Sequence, residues 1–244
     1  MFRSTPLRAS DLGYADGEFS LTFDDGPTPG ATAEAARLLA DRAIPATFFI
    51  LGEHAEPELL RHIASHGHTI GNHTFGHPNF DDPRVAPLQT VVPDQIARCH
   101  ERIKDFAAQQ IPFRAPYGSW VRPVCHSAAN TLPQADRYIG PYHWDIDAGD
   151  WRLNRRPGHP DKTTLDQFRR FFTWIITAKR RGIILLHDGF ANCEADSADL
   201  QELQVMHVLT FVINEITRRG FRFVNLKTPP ACAEDIPPLV SARA

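Results

Sequence analysis

The feature that most constrains the fold is a repeated alternation of short strand patterns with longer helix patterns. Apolar runs such as 46–50 (ATFFI) and 183–186 (IILL) are typical of buried strands, whereas 94–109 carries apolar residues at helical spacing. Strands that alternate with helices predict a mostly parallel sheet covered by helices. We therefore predict an α/β fold, in which a closed or partly closed barrel is favoured over an open doubly wound sheet.

The same patterns give approximate bounds for each element. Seven strands are predicted, at 18–23, 46–50, 68–74, 113–116, 142–147, 183–188 and 221–226. Five helices are predicted between them, at 32–43, 57–67, 94–109, 165–182 and 200–220. We expect Gly67 and Gly182 to close the second and fourth of these helices, because glycine tolerates the left-handed conformation at a helix end.

Composition restricts the class of protein. The 244 residues are 42% hydrophobic and 23% charged, which is ordinary globular composition and predicts one catalytic domain over 1–244. A net charge of −3 gives no support for binding nucleic acid or an anionic membrane surface, and no apolar run is long enough to span a membrane. The oligomeric state stays open.

The cysteines indicate the redox state of the protein, and the first twenty residues bear on whether it is exported. The four cysteines form no CxxC pair, so we expect reduced thiols rather than a zinc or redox motif. The first twenty residues contain no apolar segment typical of a secretion signal. We therefore expect a cytoplasmic protein, or an exported one if residue 1 is not the native start.

Chemically active residues collect at the predicted strand ends, which is where parallel α/β folds place their sites. The stretch SLTFDDGP ends a strand in Asp24 and Asp25, and the next motif, HTFGH, contains His73 and His77. Further strand ends carry the residues of RAPYG, DAGDW and LLHD, which include Arg114, Asp147, Asp150, Trp151, His187 and Asp188. Each of these five strand ends therefore offers residues of metal-site or acid–base type.

The pairs Asp24–Asp25 and His73–His77 each have two interpretations. Two imidazoles and one carboxylate, here Asp25, form a common set for a divalent metal, whereas the alternative is a pair of surface histidines. Asp24 points away from Asp25 if the strand continues, because strand side chains alternate. It is then either a general base that deprotonates a metal-held water or simply part of an Asp-Gly-Pro turn.

Two further residues, Arg114 and His187, complete the hypothetical site drawn from the residue types alone. Arg114 lies between apolar residues, and a salt bridge to Asp24 would orient that carboxylate and favour its ionised form. His187 ends an apolar run and is either a satisfied core histidine or a general acid. The acid interpretation requires a carboxylate partner, for which Asp147 and Asp150 are both candidates.

The motifs TFDDGP, HTFGH, RAPYG, DAGDW and LLHD occur in this order, and together they resemble the five motifs of the polysaccharide deacetylase family (the NodB-homology domain, carbohydrate esterase family 4). The resemblance implies a distorted (β/α) barrel of about seven parallel strands. It also implies a divalent metal, zinc first and cobalt or nickel as alternatives. The implied reaction is hydrolysis of an N-acetyl group from an amino sugar of a chito-oligosaccharide, a peptidoglycan-like polymer or another N-acetylated glycan.

The resemblance also implies roles for individual residues. Asp25, His73 and His77 would hold the metal, Asp24 would be the base, and Arg114 would tether it. His187 would be the acid, tuned by Asp147 or alternatively by Asp150. The Tyr117 backbone N–H would bind the oxyanion, and Trp151 and Leu185 would line the acetyl pocket. The residues implied in these roles are Asp24, Asp25, His73, His77, Arg114, Tyr117, Asp147, Trp151, Leu185 and His187.

One departure from the family pattern leaves the substrate open. Members that act on cell walls carry a secretion signal or an anchor, and the first residues here show neither. This favours keeping a second hypothesis, a de-N-acylase of a non-sugar metabolite or an O-acetyl esterase of the xylan type. The segments 152–167 and 189–199 are expected to border the cleft. A silent binding module, the third alternative, is disfavoured because every implied acid, base and ligand is present.

Overall fold

The computed structural model describes residues 1–154, 158–188 and 198–230, in which it contains nine β-strands and six α-helices. The strands are β1 Phe2–Leu7, β2 Glu18–Asp24, β3 Ala46–Ile50, β4 Thr69–Asn72, β5 Ile111–Pro112, β6 Tyr138–Tyr142, β7 Ile146–Asp147, β8 Gly182–His187 and β9 Arg222–Phe223. The helices are α1 Ala31–Asp41, α2 Pro57–Ser65, α3 Leu88–Ile103, α4 Pro123–Ala129, α5 Leu165–Lys179 and α6 Ala198–Arg218.

Every strand pair in the described residues is parallel, and the strands form two sheets. One sheet has the order β4-β3-β2-β8-β7, with β9 pairing to the start of β2, and the other has the order β1-β6-β5. A single isolated bridge between Asn72 and Phe113 connects the two sheets. The predicted α/β class is confirmed. The strands form a distorted parallel barrel, and within the described residues no strand pairing closes it into a complete ring.

Strand β2 lies at the centre of the larger sheet and explains how the barrel is filled. Phe19, Leu21 and Phe23 on one face belong to the main hydrophobic core beneath the helices. On the opposite, inner face, Ser20 hydrogen-bonds to Tyr14, which belongs to a smaller apolar cluster with Leu7, Phe49, Tyr142 and Ile183. The inner residues of β2 thus lead from this cluster to Asp24 at the strand's C-terminal end.

Some predicted boundaries are wrong. Helix α3 begins at Leu88, six residues before the predicted start, and includes Pro93. Gly67 has a positive φ of 81° just after α2, as predicted, but Gly182 does not close α5. Instead Arg180 takes the left-handed conformation at φ 60°, and its N–H donates to the Ile176 carbonyl, so that Gly182 begins β8.

The strand predictions failed where pairing is short. The segment 113–116 is not a strand and contributes only the isolated bridge at Phe113. The strand in this region, β5, lies just before that segment and has two residues. The segment 142–147 is divided between the end of β6 and the two-residue β7, and 221–226 is reduced to β9. Strand β1 was not predicted, because it lacks the alternation of a half-buried strand: only its end residues, Phe2 and Leu7, are buried.

Two expectations about composition can be compared with the described residues. Cys99 and Cys125 are buried free thiols, which confirms the expectation for these two, whereas Cys193 and Cys232 lie outside the described residues. Among the helices that the structure describes, none combines the length and the apolar character that a membrane crossing requires.

Candidate active site

The two adjacent acids at the end of β2 point in different directions because the backbone changes conformation between them. Asp24 is the last residue of the strand and pairs in register with His187 of β8. Asp25 leaves the strand with φ 74°, a left-handed conformation that a residue with a Cβ adopts at an energetic cost. The two carboxylates therefore reach different neighbours.

Asp25 forms a cluster with His73 and His77. Its Oδ1 atom lies 3.1 Å from His77 Nε2 and 3.5 Å from His73 Nε2, and the three potential ligand atoms all lie within 4.8 Å of one another. Asp25 Oδ1 is buried, and among the described residues no N–H is aligned to donate to it despite these short contacts, which is costly unless a further group satisfies it. The cluster therefore suits a bound divalent cation.

The tautomer of His73 also fits a metal ligand. Its Nδ1 lies 2.9 Å from the Arg114 carbonyl oxygen, which can only accept, so Nδ1 carries the proton. The lone pair on Nε2 is then directed at the cluster, and a hydrogen bond from the other ring nitrogen is the usual support for a ligating histidine. Two imidazoles and a carboxylate match the donor set of an open zinc, cobalt or nickel site.

Asp24 is held by Arg114, as the sequence predicted. Arg114 Nη1 donates to Asp24 Oδ1 over 2.7 Å and to Thr22 Oγ1 over 2.9 Å, and its guanidinium carbon lies 4.2 Å from the centre of the Phe49 ring. Both charged side chains are buried. The second Asp24 oxygen, Oδ2, lies 3.6 Å from His73 Nε2, so a buried carboxylate oxygen faces the cluster without belonging to it.

His187 is the in-register neighbour of Asp24 on the adjacent strand β8, and the preference for Asp147 as its partner is wrong. Asp150 accepts from the His187 Nδ1–H over 2.9 Å and from its backbone N–H over 2.7 Å. Burial opposes a charged imidazole, but the Asp150 carboxylate outweighs it and raises the pKa of His187 to about 10. Asp147 instead accepts from the Gly149 N–H over 2.8 Å.

Tyr117 lies beside the metal-ligand cluster in a strained turn. It has φ 58° and follows a proline, and the Gly118 N–H donates to the Ala115 carbonyl, as in a type II turn. That turn normally has glycine where Tyr117 stands. The Tyr117 ring lies 4.5 Å from the His77 ring and is half exposed, so its side chain contacts a proposed metal ligand, while the oxyanion role of its backbone N–H stays a prediction.

Leu185 and Trp151 border the same region. Leu185 lies two residues before His187 on β8 and is buried, although it belongs to neither of the two hydrophobic clusters. Trp151 directly follows Asp150 and is partly buried, with the Arg152 guanidinium 5.0 Å from its ring centre. Their predicted contact with an acetyl methyl group stays a prediction. Residues 155–157 and 189–197 of the two expected cleft-bordering segments lie outside the described residues.

Backbone strain in the described chain is concentrated at this site. Six residues other than glycine have positive φ, and four of them are Asp25, Thr74, His77 and Tyr117. Each such conformation costs on the order of 1 kcal/mol or more and persists only when its surroundings enforce it. Hydrogen bonds from the surrounding residues therefore keep these loops in backbone conformations that would be unfavourable in an isolated segment.

Sequence reasoning gave no role to Asp188, which is buried beside the first motif. Burial raises its pKa to about 7, against the hydrogen bond that its Oδ2 accepts from Thr32 Oγ1. A side chain at Gly26 would collide with the Asp188 carboxylate, so the glycine after Asp25 is required by this contact. The LLHD motif contained the signal, but nothing in the sequence showed what Asp188 would face.

The comparisons with known proteins agree with this geometry. The family model described as polysaccharide deacetylase matches residues 14–132. The chain is 33% identical over 208 residues to a chitooligosaccharide deacetylase of Bradyrhizobium sp. (strain ANU 289), a match that covers 82% of this chain and 85% of that protein. The chain belongs to the polysaccharide deacetylase family.

Solved structures place the family's fold over almost the whole described chain. The structure of the Bc1960 peptidoglycan N-acetylglucosamine deacetylase superposes with a TM-score of 0.64 at 28% identity and covers 88% of each chain. The chitin deacetylase of the fungal pathogen Colletotrichum lindemuthianum gives a TM-score of 0.67 at 23% identity over 91% of this chain and 89% of that one, which supports the fold alone.

Proposed function

We propose that this polysaccharide deacetylase is a metal-dependent hydrolase that removes N-acetyl groups from amino sugars of a chito-oligosaccharide or a peptidoglycan-like glycan. The observation that carries the proposal is the cluster of Asp25, His73 and His77, with the buried carboxylate of Asp24 facing it and the Asp150-paired imidazole of His187 on the strand next to Asp24. Relatives that align with most of the chain are named chitooligosaccharide deacetylases, which supports an N-acetylated sugar as the substrate.

Asp25, His73 and His77 would hold the metal, for which we propose zinc. When bound, the cation would supply positive charge that polarises the acetyl carbonyl and makes a water molecule easier to deprotonate. The orphaned Asp25 oxygen and the tautomer of His73 support this ligand set. Cobalt and nickel accept the same donors, so the identity of the native metal is part of the proposal.

The remaining residues would manage the protons and the developing charge. Asp24, held in place by Arg114, would take a proton from the attacking water as its oxygen bonds to the acetyl carbon. The Tyr117 backbone N–H would stabilise the oxyanion that forms. His187, charged because Asp150 faces its Nδ1, would donate a proton from Nε2 to the amide nitrogen as the carbon–nitrogen bond breaks. The products are acetate and a free amine.

The experiment that tests this proposal measures acetate and free amine together. Purified protein is incubated with N-acetylglucosamine oligomers of increasing length, acetylated xylan and small N-acetyl metabolites, with added zinc or cobalt and with a chelator as the control. We expect equal amounts of acetate and amine from the oligomers, and none after chelation. Release from xylan alone or from metabolites alone would contradict the amino-sugar proposal and favour the esterase or metabolite hypothesis.

A further inference from the structure

The proposed metal site lies at the junction where an isolated bridge joins the two sheets of the barrel. His73 and His77 follow β4, whereas Arg114, whose carbonyl binds His73, follows β5. Between these two strands the ladder is reduced to the bridge of Asn72 with Phe113, supported by a 3.1 Å hydrogen bond from the Arg114 N–H to the Asn72 carbonyl. Relative movement of the two sheets would therefore change the distance between the metal ligands and Arg114.

A buried chain of polar side chains crosses this same junction. Asn72 Nδ2 donates to the Ile96 carbonyl of α3 over 3.0 Å and to the Tyr138 hydroxyl of β6 over 2.9 Å. Tyr138 in turn lies 2.9 Å from His100 Nδ1 of α3. All three polar side chains are buried, so water does not replace these hydrogen bonds easily.

The chain of hydrogen bonds has only one consistent direction. The Thr74 N–H must donate to Asn72 Oδ1, over 2.9 Å, so the amide nitrogen of Asn72 must face the Tyr138 oxygen. Tyr138 accepts that bond, and its own buried O–H is satisfied among the described residues by donating to His100 Nδ1. This assigns the neutral His100 tautomer with its proton on Nε2, consistent with burial, which lowers the pKa of His100.

This series of hydrogen bonds ends at the loop that carries both histidine ligands. Thr74 and His77 have φ 71° and 55°, so the loop needs external hydrogen bonds to keep its conformation. The Asn72 side chain supplies one of them, inside the protein, to the residue that follows His73. On the outer side the loop is held by Gln95, which accepts from the Gly76 N–H over 2.8 Å.

We propose that Asn72 is a positioning residue for the metal-ligand loop, and that Tyr138 and His100 fix its orientation across the junction of the two sheets. This inference rests on the proposed function only in taking His73 and His77 as metal ligands. Partners beyond the ligands typically change metal affinity by about 10- to 100-fold when they are removed. Loss of the Tyr138 hydroxyl should therefore weaken metal binding without removing any ligand.

The test compares two tyrosine hydroxyls in the full chain. Tyr138→Phe breaks the bridge between His100 and Asn72, whereas Tyr142→Phe, the matched control, removes a hydroxyl that donates instead to the Lys227 carbonyl. Chelated proteins are titrated with zinc against a chromophoric competitor, and with cobalt while the visible absorption is recorded. We expect about tenfold weaker zinc binding and an altered cobalt spectrum for Tyr138→Phe, with neither change for Tyr142→Phe.

A pair of His100 variants keeps the inference testable if Tyr138→Phe fails to fold. His100→Asn places an acceptor near the position of Nδ1 and should keep most of the wild-type zinc affinity, whereas His100→Leu removes the acceptor and should weaken zinc binding. Wild-type affinity and spectrum in Tyr138→Phe, or the same loss in Tyr142→Phe, would overturn the inference while leaving the proposed function intact. A wild-type chain that binds no metal would overturn both.

Discussion

The ion pair between Arg114 and Asp24 gives the sharpest quantitative prediction. Both side chains are almost entirely buried, with Arg114 at 0% and Asp24 at 5% side-chain exposure, and the nitrogen–oxygen distance is 2.7 Å. Charges about 4 Å apart at an effective dielectric constant near 20 attract each other by about 4 kcal/mol. Removing one partner of such a buried pair leaves the other charge uncompensated and typically costs about 3–5 kcal/mol.

The assay is a double-mutant cycle with Arg114→Met and Asp24→Asn, measured by urea unfolding of chelated protein so that metal binding does not add to the stability. We expect each single substitution to lower the free energy of unfolding by about 3–5 kcal/mol. The double variant should lose clearly less than the sum, with a coupling of about 2–3 kcal/mol, because it buries no unpaired charge.

The exposed pair Arg37–Glu34 is the matched control, since its nitrogen–oxygen distance is also 2.7 Å but its side chains are 54% and 40% exposed. The same cycle there should give no resolved coupling, because water screens the charges. A coupling for Arg114 and Asp24 as small as that of Arg37 and Glu34 would refute the argument that burial makes the ion pair of Arg114 with Asp24 strong.

Three other substitutions separate the roles of the site residues. Asp24→Asn should abolish acetate release while metal content, measured by elemental analysis, stays near that of the wild type; equal loss of metal would exclude Asp24 as the base. His77→Ala should lower metal occupancy itself, and unchanged occupancy would remove His77 from the ligand set. Asp150→Asn should move the basic limb of the kcat/KM profile to lower pH, because Asp150 raises the pKa of His187 to about 10; an unmoved limb would contradict this role. For the metal-free fold, the Asp150–His187 pair stabilises below the ordinary histidine pKa of 6.5, and this contribution is lost as pH rises toward 10, so Asp150→Asn should flatten that dependence.

The parts of the fold that could be predicted are those in which one short pattern decides the structure. The apolar run at 46–50 matches β3 residue for residue, and the run before His187 matches β8 within one residue at each end. Strand ends of a parallel barrel converge at one rim, so the closeness of Asp25, His73 and His77 followed from the motif order. The contact of Arg114 with Asp24 was predicted for the same reason.

The parts that could not be predicted depend on turn geometry and on partners distant in sequence. Asp147 was preferred to Asp150 as the partner of His187, and the sequence could not correct this choice because both acids belong to the same short motif. The Asp147 side chain accepts from the Gly149 N–H, and Gly149 has a positive φ of 73°. With the turn in this conformation, Asp150 lies beside His187. Asn72 gave no signal, because its role depends on Tyr138 and His100, which lie 66 and 28 residues further along the chain.

The most direct test of the account is a titration of the chelated protein with zinc while acetate release from an N-acetylglucosamine oligomer and bound zinc are measured together. We predict that activity rises with bound zinc and stops rising at one equivalent per chain, because the part of the chain that the structure describes contains one such three-ligand cluster. His73→Ala should bind less zinc and release less acetate in parallel. Full activity in the chelated protein, or one tightly bound zinc per chain in His73→Ala, would contradict the proposed metal site.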